Sequence, residues 1–281
     1  MKKIVSLILA IAMIASLALV ITSCGEKKNY IGVQTGTTGQ YFVNGDADWE
    51  FDGIKGYTAK GYDNGGLAVN DLKNGVVDYV IIDEQPAKNL VKKVSGLKLI
   101  EVALTEEEYA FGVDKAQAEL LTSINTLLAE MKTSGKLDEI ITAYATGTGI
   151  NPIESAAFDA NKADKQLVVA TNAAFAPFEY KDGNKFAGID IEIAAYLAEK
   201  LGMELVIEDM EFEAVVTSVG KNGIDVAMAA LTVNETRKES VNFTDSYYNA
   251  AQMLIVAEDN TAFDNCKTAD DVVAALENAV K

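Results

Sequence analysis

The sequence predicts an α/β protein of two similar lobes with a ligand cleft between them. Three observations carry that prediction. Short apolar runs of strand length alternate with helical stripes along most of the 281 residues, a pattern of βα units rather than of an all-β or all-α chain. The chain also echoes itself. A helix, Asn74-Gly75, Asp78, an apolar run and a polar turn return as a helix, Asn222-Gly223, Asp225, an apolar run and a polar turn. Third, Asp225-Val226-Ala227-Met228-Ala229-Ala230-Leu231-Thr232-Val233-Asn234-Glu235-Thr236-Arg237 reads as a strand ending in small residues and a hydroxyl, then a helix carrying a guanidinium. Open α/β sheets bind ligands at that end of a strand, and backbone N–H groups left open by Ala229 and Ala230 suit an anion.

Residues 1–23 read as a signal peptide, with Lys2 and Lys3 ahead of an apolar run and Ile21-Thr22-Ser23-Cys24 behind it. Small residues before a cysteine resemble the lipobox of bacterial lipoproteins, which implies cleavage and lipidation at Cys24. A plain secretory signal or an uncleaved membrane helix is the alternative. Residues 24–29 are then a lipid tether. Tyr30-Ile31-Gly32-Val33 is a strand, followed by Gln34-Thr35-Gly36-Thr37-Thr38-Gly39-Gln40, either an anion cradle of backbone N–H groups or an ordinary polar turn. Its spacing is not that of a P-loop. Residues 46–53, with Trp49, read as a surface loop. A helix at 66–73 ends at Asn74-Gly75, a buried strand follows at 76–82 with Asp83 at its end, and 97–102 is a further strand.

Residues 109–113 are extended. Leu120, Leu121, Ile124, Leu127, Leu128 and Met131 share one helical face up to Gly135, and another helix covers 137–144. The stretch 145–164, rich in Gly, Ala, Asn and Asp, has no period and reads as a linker. Leu167-Val168-Val169-Ala170 opens the second block. A helical stripe of Ile191, Ala194, Ala195, Ala198 and Leu201 follows, then a strand at 205–207, a helix at 215–220 and a strand at 253–257. A last helix, capped at Thr268, runs almost to Lys281.

A formal charge of −18 argues against nucleic acid or an anionic membrane surface as a binding partner. The absence of histidine excludes Ser-His-Asp catalysis and His-ligated zinc, and nothing in the sequence asks for a cofactor. With Cys24 lipidated, Cys266 has no partner for an intramolecular disulfide. Arg237 is the only arginine among the 24 basic residues. A guanidinium grips a carboxylate through two parallel hydrogen bonds, whereas an ammonium is a point charge. Alone, Arg237 is equally a leftover surface charge; its neighbours turn the reading toward a carboxylate site.

Several motifs together carry a family resemblance. They are Ala170-Thr171-Asn172-Ala173-Ala174-Phe175-Ala176-Pro177-Phe178-Glu179-Tyr180, the helix entry Phe186-Ala187-Gly188-Ile189-Asp190, the segment from Asp225 to Arg237, and Phe243-Thr244-Asp245-Ser246-Tyr247-Tyr248. Residues 167–260 thereby resemble the first lobe of polar amino-acid-binding proteins of the ABC-transporter solute-binding family, with the periplasmic-binding-protein type II fold. Residues 30–144 resemble the second half of the same family, in family order, but stand first. The resemblance implies a circular permutant whose old ends are joined by 145–164, within reach at roughly 3.3 Å per extended residue. Two fused gene fragments that pair between molecules are the alternative. The second lobe is expected at 30–108 and 261–281. The first is expected at 109–260, including return helices at 116–144 and the linker, with the two crossover strands near 253–260 and 108–113.

That resemblance implies a site. Arg237 would pair with a ligand α-carboxylate, with Thr232, the amide near Ala230 and the amide of Thr38 completing the shell. Asp83 would hold the α-ammonium, although an Asp at such a turn is more often a helix N-cap. Phe175 and Phe212 would be aromatic walls, where either alone would more often be core. Asn172 and Gln34 would contact the side chain, and two neutral amides favour an uncharged polar ligand. Asp190 reads as the cap of its helix. The implied function is an extracytoplasmic, lipid-anchored, monomeric receptor for a polar amino acid. It would close its lobes on the ligand, dock on an ABC permease and catalyse nothing. The rivals are a sensory or degenerate solute-binding lipoprotein and a dehydratase-like enzyme on the same fold.

Overall fold

A computed structural model describes residues 29–280. The signal peptide, Cys24 with its expected lipid and Lys281 lie outside the described residues. The chain opens with β1 (Asn29–Gln34), α1 (Thr38–Asn44), β2 (Tyr57–Tyr62), α2 (Gly65–Lys73), β3 (Tyr79–Asp83), α3 (Glu84–Lys93) and β4 (Leu97–Ile100). Two short strands, β5 (Glu107–Tyr109) and β6 (Gly112–Asp114), lead to α4 (Ala118–Ser134) and α5 (Lys136–Thr146). The second block follows as β7 (Gln166–Thr171), β8 (Ala174–Phe175), β9 (Glu179–Asp182), β10 (Lys185–Ala187), α6 (Ile189–Leu201), β11 (Glu204–Asp209), α7 (Phe212–Ser218), β12 (Val226–Ala227), α8 (Glu235–Lys238) and β13 (Val241–Phe243). Then come β14 (Tyr248–Ala250), β15 (Gln252–Ala257) and α9 (Ala269–Asn278).

Two five-stranded sheets form, in the orders β2-β1-β3-β15-β4 and β11-β7-β12-β6-β13. In each, the first three strands are parallel and the fourth is antiparallel to its neighbours. The two lobes are therefore the same arrangement twice, and each takes its fourth strand from across the other block. β15 follows the second block back into the first sheet, and β6 follows the first block into the second sheet. Between them β5 and β14 pair as a two-stranded antiparallel ribbon. This alters two expectations. Residues 252–257 belong to the sheet of β1 rather than to the first lobe, and the extended run at 109–113 is broken between β5 and β6.

The local reasons are legible. β3 and β7 are buried along their whole length, so both read as continuous apolar runs rather than alternating ones. The repeated aspartate is a clamp on the first strand of each block. Asp78 donates its N–H to Tyr30 O and accepts the Tyr30 N–H on Oδ2 at 3.0 Å. Asp225 does the same with Val168, accepting its N–H at 2.9 Å. Gly188 enters α6 at φ 138°, where a Cβ would stand 2.0 Å from Phe178 O; only glycine fits. Thr268 and Asp271 form the capping box expected at α9, and Val272 and Leu276 bury that helix against Ile31, Val33 and Leu254.

Three features escaped the sequence pattern. β2 is half exposed and lacks a clear period, β8 to β10 have two to four residues each, and β3 starts only at Tyr79. The stretch 145–164 is bound to the first lobe by Ile153 N–H to Phe186 O at 2.7 Å and Ala156 N–H to Leu205 O at 2.9 Å. The two described ends meet at one point. Asn29 Nδ2 donates to Gly56 O at 3.3 Å, and a Cβ on Gly56 would lie 2.5 Å from Val280 Cγ2.

Candidate functional site

Gln34 ends β1, Asp83 ends β3, and Ala230 and Thr232 follow β12. These strand ends converge on a narrow cavity between the sheets. The second lobe lines it with Gln34, Thr37, Thr38 and Asp83, the first with Phe175, Phe212, Ala230, Thr232 and Arg237. Of the nine residues expected there, only Asn172 is not on the wall, and Thr37 was not anticipated.

Arg237 is set by α8, whose N-cap Asn234 accepts the Arg237 N–H at 2.7 Å. Its Nη1 donates to Thr232 O at 2.8 Å and its Nη2 to Gly36 O at 3.2 Å, so the guanidinium already reaches across the cleft. Its Cζ lies 5.3 Å from the centroid of Phe212 and 5.6 Å from that of Trp49, which stacks in turn on Tyr41. Trp49 is thus drawn from its expected surface loop to the site. Burial lowers the guanidinium pKa, yet an arginine remains a cation.

Asp83 is 5% exposed. Its side chain caps nothing; Oδ1 accepts from the Tyr109 hydroxyl. Burial, and then the negative charge of Glu107, raise its pKa from 3.8 to about 7. The cap alternative is therefore set aside, and the carboxyl faces the cavity.

Three expectations are corrected. The Ala230 N–H is not free: at φ 48° the residue donates to Asp190 Oδ2 at 2.9 Å. Asp190 is no helix cap, because Gly188 holds that place. Its carboxyl also accepts from Tyr247 at 2.5 Å, and burial raises its pKa to about 7. Three of the family motifs meet at this one buried acid. Asn172 stands behind the wall, where Oδ1 accepts from Gln34 Nε2 at 2.9 Å and Nδ2 donates to Met210 O at 2.8 Å. It fixes Gln34, whose Oε1 is buried without a partner, an acceptor that suits a ligand N–H or O–H.

Glu107 was missed. In the run Glu106-Glu107-Glu108 it reads as a solvated charge, but the alternation of β5 turns Glu107 and Tyr109 inward and Glu108 outward. Both Thr38 and Thr232 donate their hydroxyl protons to Glu107 Oε2 at 2.6 Å.

A cation from one lobe and a buried carboxyl from the other, with aromatic walls between, can hold a zwitterion by both ends. Among the described residues, no group of His, Cys, Asp or Glu is arranged to hold a metal ion, and no helix is long and apolar enough to cross a membrane.

Residues 167–281 match the family of bacterial extracellular solute-binding proteins, family 3. The chain is 36% identical over 96 residues to the arginine-binding extracellular protein ArtP of Bacillus subtilis, covering 34% of this chain and 38% of that one. It is 32% identical over 98 residues to the L-arginine-binding protein of Pseudomonas aeruginosa, again 34% and 38%. Among solved structures, holo ArgBP from T. maritima is 39% identical over 33% of this chain and 41% of that one, with a TM-score of 0.30. The chain spans about two fifths of the length of the curated relatives it matches.

Proposed function

We propose, from the place of residues 167–281 in family 3 of the bacterial extracellular solute-binding proteins, that this chain is an extracytoplasmic receptor for a polar amino acid. It acts by closing two lobes on the ligand and hands it to an ABC permease; it turns nothing over. The observation that carries this reading is one cavity lined by Arg237 from one lobe and Asp83 from the other. Arg237 takes the α-carboxylate, Asp83 the α-ammonium, and Phe175 and Phe212 flank the side chain. Thr38, Thr232 and Ala230 complete the wall around the two charged ends. Gln34, held by Asn172, offers its orphaned oxygen to a side-chain donor, which favours an amide or guanidinium over an aliphatic ligand. Cys24 is the lipid anchor, and the receptor works as a monomer on the outer face of the cell membrane.

The test is a thermal-shift screen of residues 25–281 against the twenty amino acids, followed by titration read through tryptophan emission. A ligand at 100 times its Kd adds about 2.7 kcal/mol of stability. Trp49 is the only tryptophan and stacks on Arg237, so ligand capture should shift its emission. Stabilisation by one or a few polar amino acids, with that optical change, is expected. A cooperative melt that no amino acid moves would shift the weight to a sensory lipoprotein without a transport role.

The circularly permuted order belongs to this proposal. Its support is the adjacency of both described ends at Gly56 and a linker that lies along the first lobe. Joining residue 280 to residue 30 through a short Gly-Ser segment and reopening the chain within 147–152 should give a monomer that folds and binds as the parent does, since exposed termini and loops tolerate such exchange. A reordered chain that binds only as a dimer would favour lobes pairing between molecules.

A further inference from the structure

Glu107 lies behind the wall of the cavity, 8% exposed, on the ribbon strand that joins the lobes. Its carboxylate has four donors. Thr38 and Thr232 give their hydroxyl protons to Oε2, each at 2.6 Å, and Thr105 Oγ1 and Gln252 Nε2 reach Oε1 at 2.6 and 3.0 Å. The first two donors come from opposite lobes and both line the cavity. A hydroxyl has one proton to give and two lone pairs to offer. Once its proton is committed to Glu107, each threonine can present only lone pairs to whatever lies in front of it. The Thr38 hydroxyl also stands 3.2 Å from the Thr232 oxygen, a longer alternative for its one proton than Glu107 Oε2 at 2.6 Å, and both hydroxyls line the same cavity as Asp83.

We infer that Glu107 is a positioning residue: it accepts one hydroxyl hydrogen bond from each lobe as they close and so turns Thr38 and Thr232 into acceptors for the ligand's ammonium. This rests on the amino-acid reading of the cleft and reverses the part expected of Thr232. A hydroxyl that donates would complete a carboxylate shell; a hydroxyl whose proton is taken from behind serves the cation. The carboxylate is left to Arg237. Because the two donors sit on different lobes, the acceptor set is complete only in the closed protein, so Glu107 links ligand choice to closure.

The test measures the affinities of L-glutamine, L-arginine and any other amino acid found in the screen by calorimetry. Four proteins are compared: wild type, Glu107→Gln, Thr38→Val/Thr232→Val, and the triple variant. Glu107→Gln keeps the shape and is expected to weaken binding about tenfold or more, as loss of a charge-assisted orientation does. The double valine variant should weaken it at least as much. In that background Glu107→Gln should cost nothing further, because residues that act through one another are non-additive. A purely structural Glu107 would instead lower the ligand-free melting temperature and add its loss in both backgrounds. Wild-type binding with Glu107→Gln within twofold of it, or a loss that persists in the valine background, overturns the inference and leaves the receptor standing. Should Glu107→Gln fail to fold, Thr232→Ser against Thr232→Val decides: serine must retain affinity and valine lose it about tenfold. A wild type that binds no amino acid sinks both readings.

Discussion

Arg237→Ala is expected to abolish ligand binding at concentrations that saturate the wild type while leaving a cooperatively folded protein. Among the described residues, the guanidinium is the only cation on the cavity wall. A carboxylate brought into that site without it would be buried and unpaired, a loss of about 3–5 kcal/mol, or roughly a thousandfold in affinity. The fold has less to lose. Arg237 stands on a four-residue helix whose cap is the Asn234 side chain and the Arg237 backbone, and alanine keeps that bond. Arg237→Lys tests the chemistry rather than the charge. Two aromatic faces flank the planar guanidinium, Phe212 at 5.3 Å and Trp49 at 5.6 Å, and two carbonyls hold its edge. An ammonium can meet few of those contacts at once, so lysine should restore less than a tenth of the lost affinity. Calorimetry with the ligand found in the screen decides it. An alanine variant that binds within tenfold of wild type would remove Arg237 from the recognition of the ligand.

Asp83 is expected to make binding release a proton. In the ligand-free protein burial, then Glu107, hold its pKa at about 7, against 3.8 for an ordinary side chain of its kind. At pH 6 the carboxyl is mostly protonated; an arriving ammonium favours the carboxylate, and the proton leaves. Calorimetry at pH 6 in two buffers of different ionisation heat should therefore read up to about one proton released per ligand, and far less at pH 8. Affinity should fall about tenfold per pH unit below 7. Stability runs the other way. Between about 4 and 7 the folded, ligand-free protein holds a proton that the unfolded chain has lost, so raising the pH through that window destabilises the fold. Asp190, also raised to about 7 by burial, adds to the same slope. The ligand-free melting temperature should fall from pH 5 to pH 8, and bound ligand should flatten Asp83's share. Asp83→Asn should lose the proton release and most of the affinity together. Proton release that survives in Asp83→Asn would assign it to another group.

The candidate site was largely legible because the family resemblance named its parts and the Arg237 stretch carried a local pattern of its own. A lone arginine after Ala229-Ala230-Leu231-Thr232 and an aspartate closing an apolar run are visible one segment at a time. The aspartate echo at Asp78 and Asp225 was visible for the same reason: each clamps the first strand of its own block through a two-bond contact. Three other features were not, and they share a cause. Glu107 looks solvated until β5 folds inward. Trp49 looks like a loop residue until the closed lobes bring Arg237 beneath it. The Ala230 N–H looks free until Asp190, forty residues earlier in the chain, takes it.

The sequence by itself determined the α/β class, the doubling of the lobe, the cap of the last helix at Thr268 and eight residues of the candidate wall. The first three follow from periodicity and turn chemistry; the wall residues follow from the family resemblance, with only the Arg237 stretch read from its own side chains. Only the tertiary structure decided which strand closes which sheet, whether Asp83 caps a helix or faces the cavity, and which way the threonine hydroxyls point. The reason is physical. A hydrogen-bonding group offers several bonds and makes the few that its neighbours leave available, and those neighbours come from distant parts of the chain.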